Sequence, residues 1–344
     1  MTDRWSPPRI TVVTGASGWL GRALVHRLLA DPARPALRLL AHTTAEAESL
    51  RNLGPVGVVI GDIAKADTSA RLLNDMSEDC DVIHTAGIIH PKTVRQFSEI
   101  NTDGTRHLAE AALDRGIRRM VHVSSNSPFG NNPKPSDTFR AIEPYHPYLG
   151  YGRSKMLAEL AVLECVEQGL DGTIVRPPWF YGPFQPPRQT TFFRMVRAGR
   201  FPVVGDGLQR RSMVYVDNLV DGVLAAELTP GARGKGYWIA DRRAYTINEI
   251  VETVGRALTD EGFPVEPPST RLPDIAGRVA ELGDRVLQRM GVYQQQLHVL
   301  GEMNKTIACD ISVSQAELGY EPSIELYEGM RRSIRWCVEQ GLEL

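Results

Sequence analysis

Short apolar segments and helical patterns alternate along the first half of this chain, and this alternation constrains the fold more than any other feature. Runs rich in β-branched residues predict strands at 10–14, 37–41, 56–61, 81–85, 120–124 and 173–176. Helical patterns lie between them, near 19–30, 45–53, 69–76, 94–115 and 151–168. Several strands are apolar on both alternating faces, as in a parallel sheet that is covered on each side. The sequence therefore predicts an α/β fold with a doubly wound parallel sheet and helices on both faces.

The alternation ends after Arg176. Five prolines lie between residues 177 and 187, and further helical patterns follow near 190–198, 217–227, 247–259, 274–290 and 326–340. We expect residues 1–176 to form one domain and residues 177–344 a smaller, mainly helical substrate domain. Segments near 205–240 are expected to return and pack on the first domain. The pattern leaves open whether residues 261–300 form a lid, an interface or scaffold.

Composition argues against several classes of protein. Lys and Arg number 39 and Asp and Glu 41, which gives a formal net charge of −2 and no excess of positive charge for nucleic acid. No apolar run approaches the roughly 18 residues of a membrane span, and the N-terminal segment has no apolar leader. The scattered cysteines fit reduced, buried thiols better than disulfides or a metal site: Cys80, Cys165, Cys309 and Cys337. We expect a cytoplasmic protein that binds no metal, nucleic acid or membrane.

A glycine-rich turn follows the first predicted strand, in the segment Thr14-Gly-Ala-Ser-Gly-Trp-Leu-Gly21. Gly15 permits a tight turn, Gly18 lets backbone N–H groups approach a pyrophosphate, and Gly21 lets the helix pack close to the sheet. The helix N-terminus adds a partial positive charge. A turn that binds no ligand is the alternative, but its place at the first strand–helix junction favours a Rossmann dinucleotide site.

The choice between NAD and NADP depends on the end of the second strand. An NAD enzyme commonly has an acid there for the ribose 2′-hydroxyl, but residues 39–44 read Leu-Leu-Ala-His-Thr-Thr. His42, Thr43, Thr44 and Arg22 could lie near a 2′-phosphate. The cofactor is therefore predicted as NAD(P), and the missing acid slightly favours NADP.

A candidate catalytic group combines residues from two segments. Tyr151 and Lys155 are four residues apart at the start of a helix, which places them on one face. Ser125 ends the fifth strand, at the sheet edge where that helix is expected to begin. A solvent-facing aromatic–cation pair is the alternative for Tyr151 and Lys155. Beside a dinucleotide, however, a phenol can exchange the proton of a carbinol, and a nearby ammonium favours the phenolate. Ser125 would donate a hydrogen bond to the carbonyl or alkoxide oxygen.

Asn101 lies inside the helical pattern at 94–115. It could hold a water beside Lys155 as an exit for the proton, and a helix-surface amide is an equally good interpretation.

These motifs together resemble the extended short-chain dehydrogenases/reductases, in the epimerase/dehydratase branch, with some features of the hydroxysteroid-dehydrogenase-like branch. The resemblance covers residues 10 to about 340. It rests on the glycine turn and on Gly61-Asp62, His84-Thr-Ala-Gly87, Asn101-x-x-Gly-Thr105, Ser124-Ser125, Tyr151-x-x-x-Lys155, Arg176-Pro177, Tyr181-Gly-Pro183, Gly205-Asp-Gly207 and Val214-Tyr-Val-Asp-Asn218.

The resemblance implies that Ser125, Tyr151 and Lys155 are catalytic, that Asp62 contacts the adenine, and that Ala86 and Gly87 line the cofactor. It also implies a homodimer that pairs the helices near 94–115 and 151–168. The residues expected at the cofactor are Gly15, Ser17, Gly18, Trp19, Leu20, Gly21, His42, Asp62, Ile63, Thr85, Ala86, Gly87, Ser124, Tyr151, Lys155 and Pro177.

Two expected substrate residues give conflicting indications. Arg211 stands where nucleotide-sugar members hold a diphosphate, although a solvated surface arginine is an equal alternative. Trp179 stands where those members often carry Asn, and an indole suits an apolar substrate or a stacked ring.

Three functional hypotheses follow. The first is reversible hydride transfer at a secondary alcohol or ketone of a sugar-like small molecule, free or nucleotide-linked. The second is a net dehydrogenase or ketoreductase for a less polar alcohol. The third is a non-catalytic dinucleotide-binding regulator, which the intact Ser125, Tyr151 and Lys155 argue against. Dehydration is disfavoured because Asn126 and Ser127 replace the Asp-Glu pair usual in that chemistry.

Overall fold

Seven parallel strands form the central sheet in a computed structural model that describes residues 4–34 and 36–344. Its first six strands are β1 (Ile10–Thr14), β2 (Ala36–Ala41), β3 (Gly57–Ile60), β4 (Cys80–His84), β5 (Arg119–Val123) and β6 (Gly172–Arg176). Short strands follow as β7 (Trp179–Tyr181), β8 (Val203–Val204), β9 (Arg210–Arg211), β10 (Met213–Tyr215), β11 (Gly236–Trp238), β12 (Tyr245–Thr246) and β13 (Arg271–Leu272). The sheet order is β11-β6-β5-β4-β1-β2-β3, which confirms the predicted doubly wound Rossmann sheet.

Helices cover both faces of this sheet. The described part of the chain contains the helices α1 (Trp19–Leu29), α2 (Thr44–Arg51), α3 (Ala66–Leu72), α4 (Gly104–Asp114), α5 (Leu149–Glu167), α6 (Pro187–Arg197), α7 (Val216–Leu228), α8 (Ile247–Asp260), α9 (Asp274–Arg289), α10 (Gln295–Glu302), α11 (Ser312–Leu318) and α12 (Leu326–Glu339). Alternate strand residues enter two different cores, so Val13 packs with α1 and α7 whereas Val12 packs with α3, α4 and α5. This arrangement explains why the strands are apolar on both faces.

The second half of the chain returns to the first sheet. Strand β11 pairs with β6 in parallel, with Gly236 opposite Ile174, and α7 packs against β5 and β6. The other short strands form the pairs β7–β10, β9–β12 and β8–β13. Residues 1–3 and 35, which belong to the predicted first domain, lie outside the described residues.

The helix predicted at 94–115 is present over residues 97–114, but it is not regular throughout. Residues Phe97–Asp103 form π-helical turns, which continue directly into regular α-helix at Gly104. The predicted segment is therefore helical, and the π-helical turns are the feature that the sequence pattern did not show. The wider turns place Asn101 and Thr102 side chains in the buried contact with α5, where Thr102 donates to the carbonyl of Ser154 at 3.0 Å.

None of the helices formed by residues 4–34 and 36–344 is long and apolar enough to cross a membrane.

Candidate active site

The glycine turn between β1 and α1 has the geometry of a backbone cradle. Gly15 has φ +67°, and a Cβ there would lie 2.6 Å from the amide nitrogen of Ala86. A Cβ on Gly21 would lie 2.0 Å from the carbonyl oxygen of Gly15. Larger residues would therefore clash with backbone at both positions, which is why the chain needs glycine there.

The N-terminus of α1 is open for an anion. Its N-cap is Gly18, and no side chain caps the first turn, so backbone N–H groups remain available to a pyrophosphate. Trp19 forms one wall of the cradle, with Nε1 donating to the carbonyl of Pro183 at 2.7 Å and the ring 4.5 Å from that of Phe180. Leu20 is buried beneath the turn, and Ser17 is half-buried at its rim. These features fit a dinucleotide.

The end of β4 lies directly beside this cradle. The hydroxyl of Thr85 donates to the carbonyl of Thr14 at 2.7 Å, and the amide of Ala86 donates to the hydroxyl of Thr14 at 3.4 Å. Gly87 follows, next to the side chain of Asn101. The structure thus brings the predicted residues 85–87 to the same sheet edge as the glycine turn.

The end of β2 carries an acid that the window 39–44 does not contain. The backbone N–H of His42 donates to the carboxylate of Glu46 at 2.8 Å, because Thr43 caps α2 and the first turn folds Glu46 back. His42 itself is exposed. Arg22 is held nearby by the hydroxyl of Ser49 at 3.1 Å. The carboxylate at the end of β2 is therefore that of Glu46, one helical turn beyond His42 and outside residues 39–44, where an NAD enzyme commonly has an acid.

Asp62 and Ile63 form the loop after β3. The carboxylate of Asp62 accepts a hydrogen bond from the amide of Ala64 at 3.0 Å, which fixes the loop. Ile63 is buried against Gly104 at the start of α4.

Tyr151 lies at the start of α5, with its ring 5.8 Å from that of Phe97. Burial raises the pKa of the Tyr151 phenol to about 12, while hydrogen bonding with Ser125 and the Arg188 guanidinium oppose this rise. Ser125 is buried, and its hydroxyl also accepts from the amide of Ser127 at 3.3 Å. Ser125 and Tyr151 are therefore brought together as predicted.

Lys155 is buried one helical turn beyond Tyr151. Its Nζ donates to the carbonyl of Val123 at 2.8 Å, two residues before Ser125, and lies 3.4 Å from Nε2 of His122. Burial lowers the pKa of Lys155 to about 8, against a smaller raising effect of Glu159. The groups that lower the pKa of Tyr151 here are Ser125 and Arg188, not the Lys155 ammonium that sequence analysis expected.

Two stacked histidines lie beneath Lys155 inside the sheet. The rings of His84 on β4 and His122 on β5 are 5.2 Å apart, and both residues are fully buried. Thr105 donates its proton to the carbonyl of Asn101, so its oxygen accepts from Nε2–H of His84. The hydroxyl of Thr14 then donates to Nδ1 of the same ring at 2.6 Å. Burial first, and then Lys155, lower the pKa of both histidines, that of His84 to about 3.

Asn101 is completely buried, so the interpretation as a helix-surface amide was wrong. Its Oδ1 accepts from the amide of Ile88 at 2.8 Å, and its Nδ2 donates to the carbonyl of Ile88 and to the hydroxyl of Ser154, each at 3.0 Å. The side chain thereby joins the loop after β4 to the helix that carries Tyr151.

Sequence analysis missed the residues that approach Tyr151 from the second half of the chain. The α9–α10 hairpin contributes Tyr293, whose ring is 5.6 Å from Phe97 and whose hydroxyl is 2.8 Å from Nδ1 of His90. Arg188, at the start of α6, lies near both Tyr151 and Tyr293, and its guanidinium is 5.9 Å from the Trp19 ring centroid. Their only sequence signal was the unexplained segment 261–300 and the proline-rich loop.

The same hairpin holds a buried ion pair. Nδ1 of His298 lies 2.8 Å from the carboxylate of Asp284. Burial lowers the pKa of His298, but its hydrogen bond to Asp284 and the charges of Glu302 and Asp284 outweigh this effect and raise it. Gln288 of α9 accepts from the amide of Gly150 at 3.0 Å, which fastens the hairpin to the start of α5.

The structure locates the two predicted substrate residues, and it contradicts only the surface alternative for Arg211. Arg211 is not a solvated surface residue, because it donates to the carbonyl of Glu302 and burial lowers its pKa. That bond occupies part of the guanidinium that was expected to hold a diphosphate. Trp179 is half-buried, with its ring 5.4 Å from that of Phe192 on α6.

Two further predicted residues end strands of the sheet. Ser124 is buried, and its backbone amide donates to the carbonyl of Val175 at 2.7 Å. Pro177 is buried directly after β6. Both therefore lie at the carboxyl edge of the sheet, with Ser125 and the glycine turn.

Comparison with known proteins places this site in a family. The chain is 47% identical over 343 residues to an uncharacterized protein of Sinorhizobium fredii, covering 96% of each sequence. It is 28% identical to a ceramide reductase of Caulobacter vibrioides, covering 96% of this chain and 95% of the relative. The crystal structure of dTDP-glucose 4,6-dehydratase from Streptomyces venezuelae, solved with NAD bound, matches with TM-score 0.75 and 25% identity over 97% of this chain and 99% of that chain. Residues 11–240 match the model of one family, and the chain belongs to that family, the NAD dependent epimerase/dehydratase family.

Proposed function

We propose that this protein is an NAD(P)-dependent oxidoreductase or epimerase that transfers hydride reversibly at a secondary alcohol or ketone, with Tyr151 as the acid/base. One observation carries the proposal. Tyr151 interacts with Ser125 at the sheet edge that also holds the glycine turn, and Lys155 is anchored at Val123 directly beneath them. A structural role alone does not require a phenol, a hydroxyl and an amine to converge beside a dinucleotide cradle.

A bound nicotinamide would supply or accept the hydride, and the glycine turn, Thr85, Ala86 and Gly87 would hold the dinucleotide. Tyr151 Oη takes the proton from the substrate hydroxyl, or returns it to the carbonyl oxygen. The Ser125 hydroxyl donates to that same oxygen and orients it. Arg188 stabilises the phenolate electrostatically, because its positive charge already opposes the rise in the Tyr151 pKa. Asn101 acts as a positioning residue by fixing the start of α5 against the loop at Ile88.

A sugar-like substrate, free or nucleotide-linked, fits the charge at this site best. Arg188 forms no ion pair with any carboxylate in the described part of the chain, yet it lies beside Tyr151. A phosphate or another anionic group on the substrate would be a suitable partner for that guanidinium. The similarity to a dTDP-glucose dehydratase agrees with such a substrate.

A less polar ketone or alcohol is the second candidate. The ring of Tyr151 packs beside Phe97, which in turn contacts the ring of Tyr293, and Arg211 is already bonded to Glu302. Aromatic walls of this kind suit an apolar substrate. The relative that is a ceramide reductase agrees with this alternative.

We propose NAD as the preferred cofactor, which departs from the expectation drawn from residues 39–44. The carboxylate of Glu46 is bonded to the backbone of His42, at the strand end where a 2′-phosphate would lie. A carboxylate repels a phosphate, and it accepts hydrogen bonds from a ribose hydroxyl.

We also propose a homodimer that pairs α5 and the helical segment 97–114. Met156, Leu157 and Leu160 are half-exposed along α5, where a partner helix would cover them.

We propose a cytoplasmic location. All four cysteines are free and buried, which suits a reducing compartment.

The test is a turnover assay on nucleotide sugars and on apolar ketones, with Tyr151→Phe as the variant and Tyr327→Phe as the matched control. Tyr327 is bonded to Asp260, away from this site. We expect Tyr151→Phe to lose about 10²–10⁴-fold in turnover while cofactor binding persists. Undiminished turnover of Tyr151→Phe would overturn the assignment.

The absorbance of the reduced cofactor separates the candidate reactions. Cofactor retained through purification, with no net change during turnover, supports an epimerase on a sugar-like substrate. Steady consumption of reduced cofactor with an apolar ketone supports the second candidate. Cofactor binding without turnover of any substrate in the panel would support the regulator hypothesis instead.

A further inference from the structure

Helix α9 carries a row of large aliphatic side chains on its outer face. The row has spacings of four, three, four and four residues, which keep it on one side of the helix. Its members expose 64%, 64%, 63%, 47% and 72% of their surface, in the order Ile275, Val279, Leu282, Val286 and Met290. The opposite side of α9 packs inward through Gly277, Ala280 and Asp284. The apolar face of this helix is thus the one turned to solvent, the reverse of an ordinary surface helix.

Arginines line one edge of this row. Arg278, Arg285 and Arg289 are spaced seven and four residues apart, which places them together on one flank. Behind them, Asp274 pairs with Arg278 at 3.0 Å and Glu281 with Arg285 at 2.9 Å. These carboxylates therefore lie on the far side of the arginines from the aliphatic row. Arg289 pairs with no carboxylate among residues 4–34 and 36–344.

We propose that this outer face of α9 docks on an anionic lipid membrane surface, which departs from the expectation of no membrane binding that the absence of an apolar spanning run suggests. A helix with an aliphatic face and arginines along its edge lies in the interfacial plane, with the side chains in the acyl boundary and the guanidinium groups among headgroup phosphates. The whole face is formed by one 16-residue helix and the residue after it, so it can lie flat on a surface.

A second copy of the chain fits this face less well. An antiparallel pairing about a two-fold axis would bring the arginine flanks of both copies to the same side. A parallel pairing would set each flank against the Ala276, Gly283 and Leu287 side of the other helix, which has no carboxylate. Either pairing leaves Arg289 facing no opposite charge and brings no new carboxylate to Arg278 or Arg285, whereas headgroup phosphates supply negative charge to all three.

Docking by this face would hold the active site next to the lipid. Gln288 of the same helix accepts from the amide of Gly150, one residue before Tyr151, and Asp284 holds His298 beside Tyr293. The two functions therefore use opposite sides of one helix. The docking inference does not depend on the reaction proposed above, because membrane binding is measured without turnover.

The test is flotation of the full-length protein with vesicles of phosphatidylcholine alone or of phosphatidylcholine with phosphatidylglycerol. We expect binding to the anionic vesicles that weakens as salt is raised. The double variant Leu282→Gln with Val286→Gln should lower partitioning of the protein onto vesicles by about tenfold or more. The reason is that it removes two of the aliphatic side chains that would enter the bilayer. Arg278→Gln with Arg289→Gln should remove most of the preference for anionic lipid.

Ile142→Gln is the matched control, because Ile142 is 92% exposed and lies outside α9. Its partitioning should equal that of the unchanged protein. Thermal unfolding of each variant, read by circular dichroism, verifies that the fold is kept, since all these side chains are on the surface. Failure of the folded protein to bind either vesicle would overturn the proposal. The proposal would also fail if Ile142→Gln lost as much vesicle binding as the α9 variants. It would fail likewise if the α9 substitutions dissociated an oligomer and left vesicle binding unchanged.

Discussion

Nζ of Lys155 lies 3.4 Å from Nε2 of His122 at the bottom of the site. The contact requires that this imidazole nitrogen carry no proton, and burial keeps His122 neutral by lowering its pKa. The remaining nitrogen of His122 has no hydrogen-bond partner among the described residues. The neutral imidazole of His122 therefore accepts a hydrogen bond from the Lys155 ammonium. The positive charge of that ammonium in turn disfavours protonation of His122.

Replacing His122 should change the pH dependence of turnover. His122→Phe removes one acceptor of the Lys155 ammonium, so the pKa of Lys155, already lowered to about 8, should fall further. The alkaline fall in kcat/KM should then begin at a lower pH. His107→Gln, on α4, is the control and should keep the original profile. An unchanged alkaline limb in His122→Phe would show that Lys155 does not depend on this contact.

The buried histidines should make the protein sensitive to mild acid. In the unfolded chain they take up protons below pH 6.5, whereas in the fold the pKa of His84 is about 3 and that of His122 is also lowered. At these two imidazoles the unfolded state therefore binds more protons below pH 6.5, so each histidine lowers the free energy of unfolding by about 1.4 kcal/mol per pH unit. Buried Glu227 and Asp241, whose pKa values burial raises to about 7, contribute in the opposite direction.

Urea unfolding at pH 7, 6 and 5 measures this slope. His84→Asn should reduce the dependence on pH between 6.5 and 5, whatever it does to the stability at pH 7. Equal slopes for the variant and the unchanged protein would contradict the assignment.

Asn101→Ala should lower both stability and turnover. Without the amide, the N–H and C=O of Ile88 lose their partners, at a cost of about 1 kcal/mol for each of these partly buried groups. The loop beside Gly87 and the start of α5 should then lose their fixed relation, so kcat should fall together with cofactor affinity. Asn131→Ala, at a half-buried loop position, should do neither. Calorimetry and steady-state kinetics test both effects, and full cofactor affinity in a destabilised Asn101→Ala would refute the positioning role.

Glu46→Gln should shift the cofactor preference toward NADP. The change removes the negative charge beside the expected 2′-phosphate but keeps an acceptor for the amide of His42. Relative affinity for NADP over NAD should rise by roughly tenfold. Glu48→Gln, an exposed neighbour on α2, should leave the ratio unchanged. Titration of both cofactors by fluorescence decides the matter, and an unaltered ratio in Glu46→Gln would place the 2′-position elsewhere.

Arg188→Gln should raise the KM of an anionic substrate and displace the acid limb of the turnover profile toward higher pH. The guanidinium opposes the rise in the Tyr151 pKa, so its loss should leave the phenol harder to deprotonate. Arg194→Gln, on the same helix, is the control. If only KM changes, Arg188 binds substrate without acting on the phenol.

The sequence predicted the regular elements well because their patterns are local. The strand at 10–14 and the helix at 151–168 agree with the structure to within about two residues. The π-helical turns around Asn101 were missed because the side chain of Asn101 is bonded to residues distant in the chain: it accepts from the amide of Ile88 and donates to the hydroxyl of Ser154.

Residues of the site could be predicted from the sequence only where a local pattern identifies them. Ser125, Tyr151 and Lys155 follow from a strand end and one helix face. Arg188 at the start of α6 and Tyr293 between α9 and α10 are more than 30 residues beyond Tyr151, and only the tertiary fold brings them to it. Strand β11 was missed because three residues, 236–238, are too few to show a period.

That three-residue strand has a consequence for engineering. Because β11 supplies the outermost ladder of the central sheet, and α7 covers the neighbouring strands, a chimera joined at residue 177 would exchange part of the nucleotide-binding half's own core. The two halves are therefore poor modules for recombination between relatives. New specificity should be sought by grafting α6, which carries Arg188, or the α9–α10 hairpin, because neither segment contributes a strand to the central sheet.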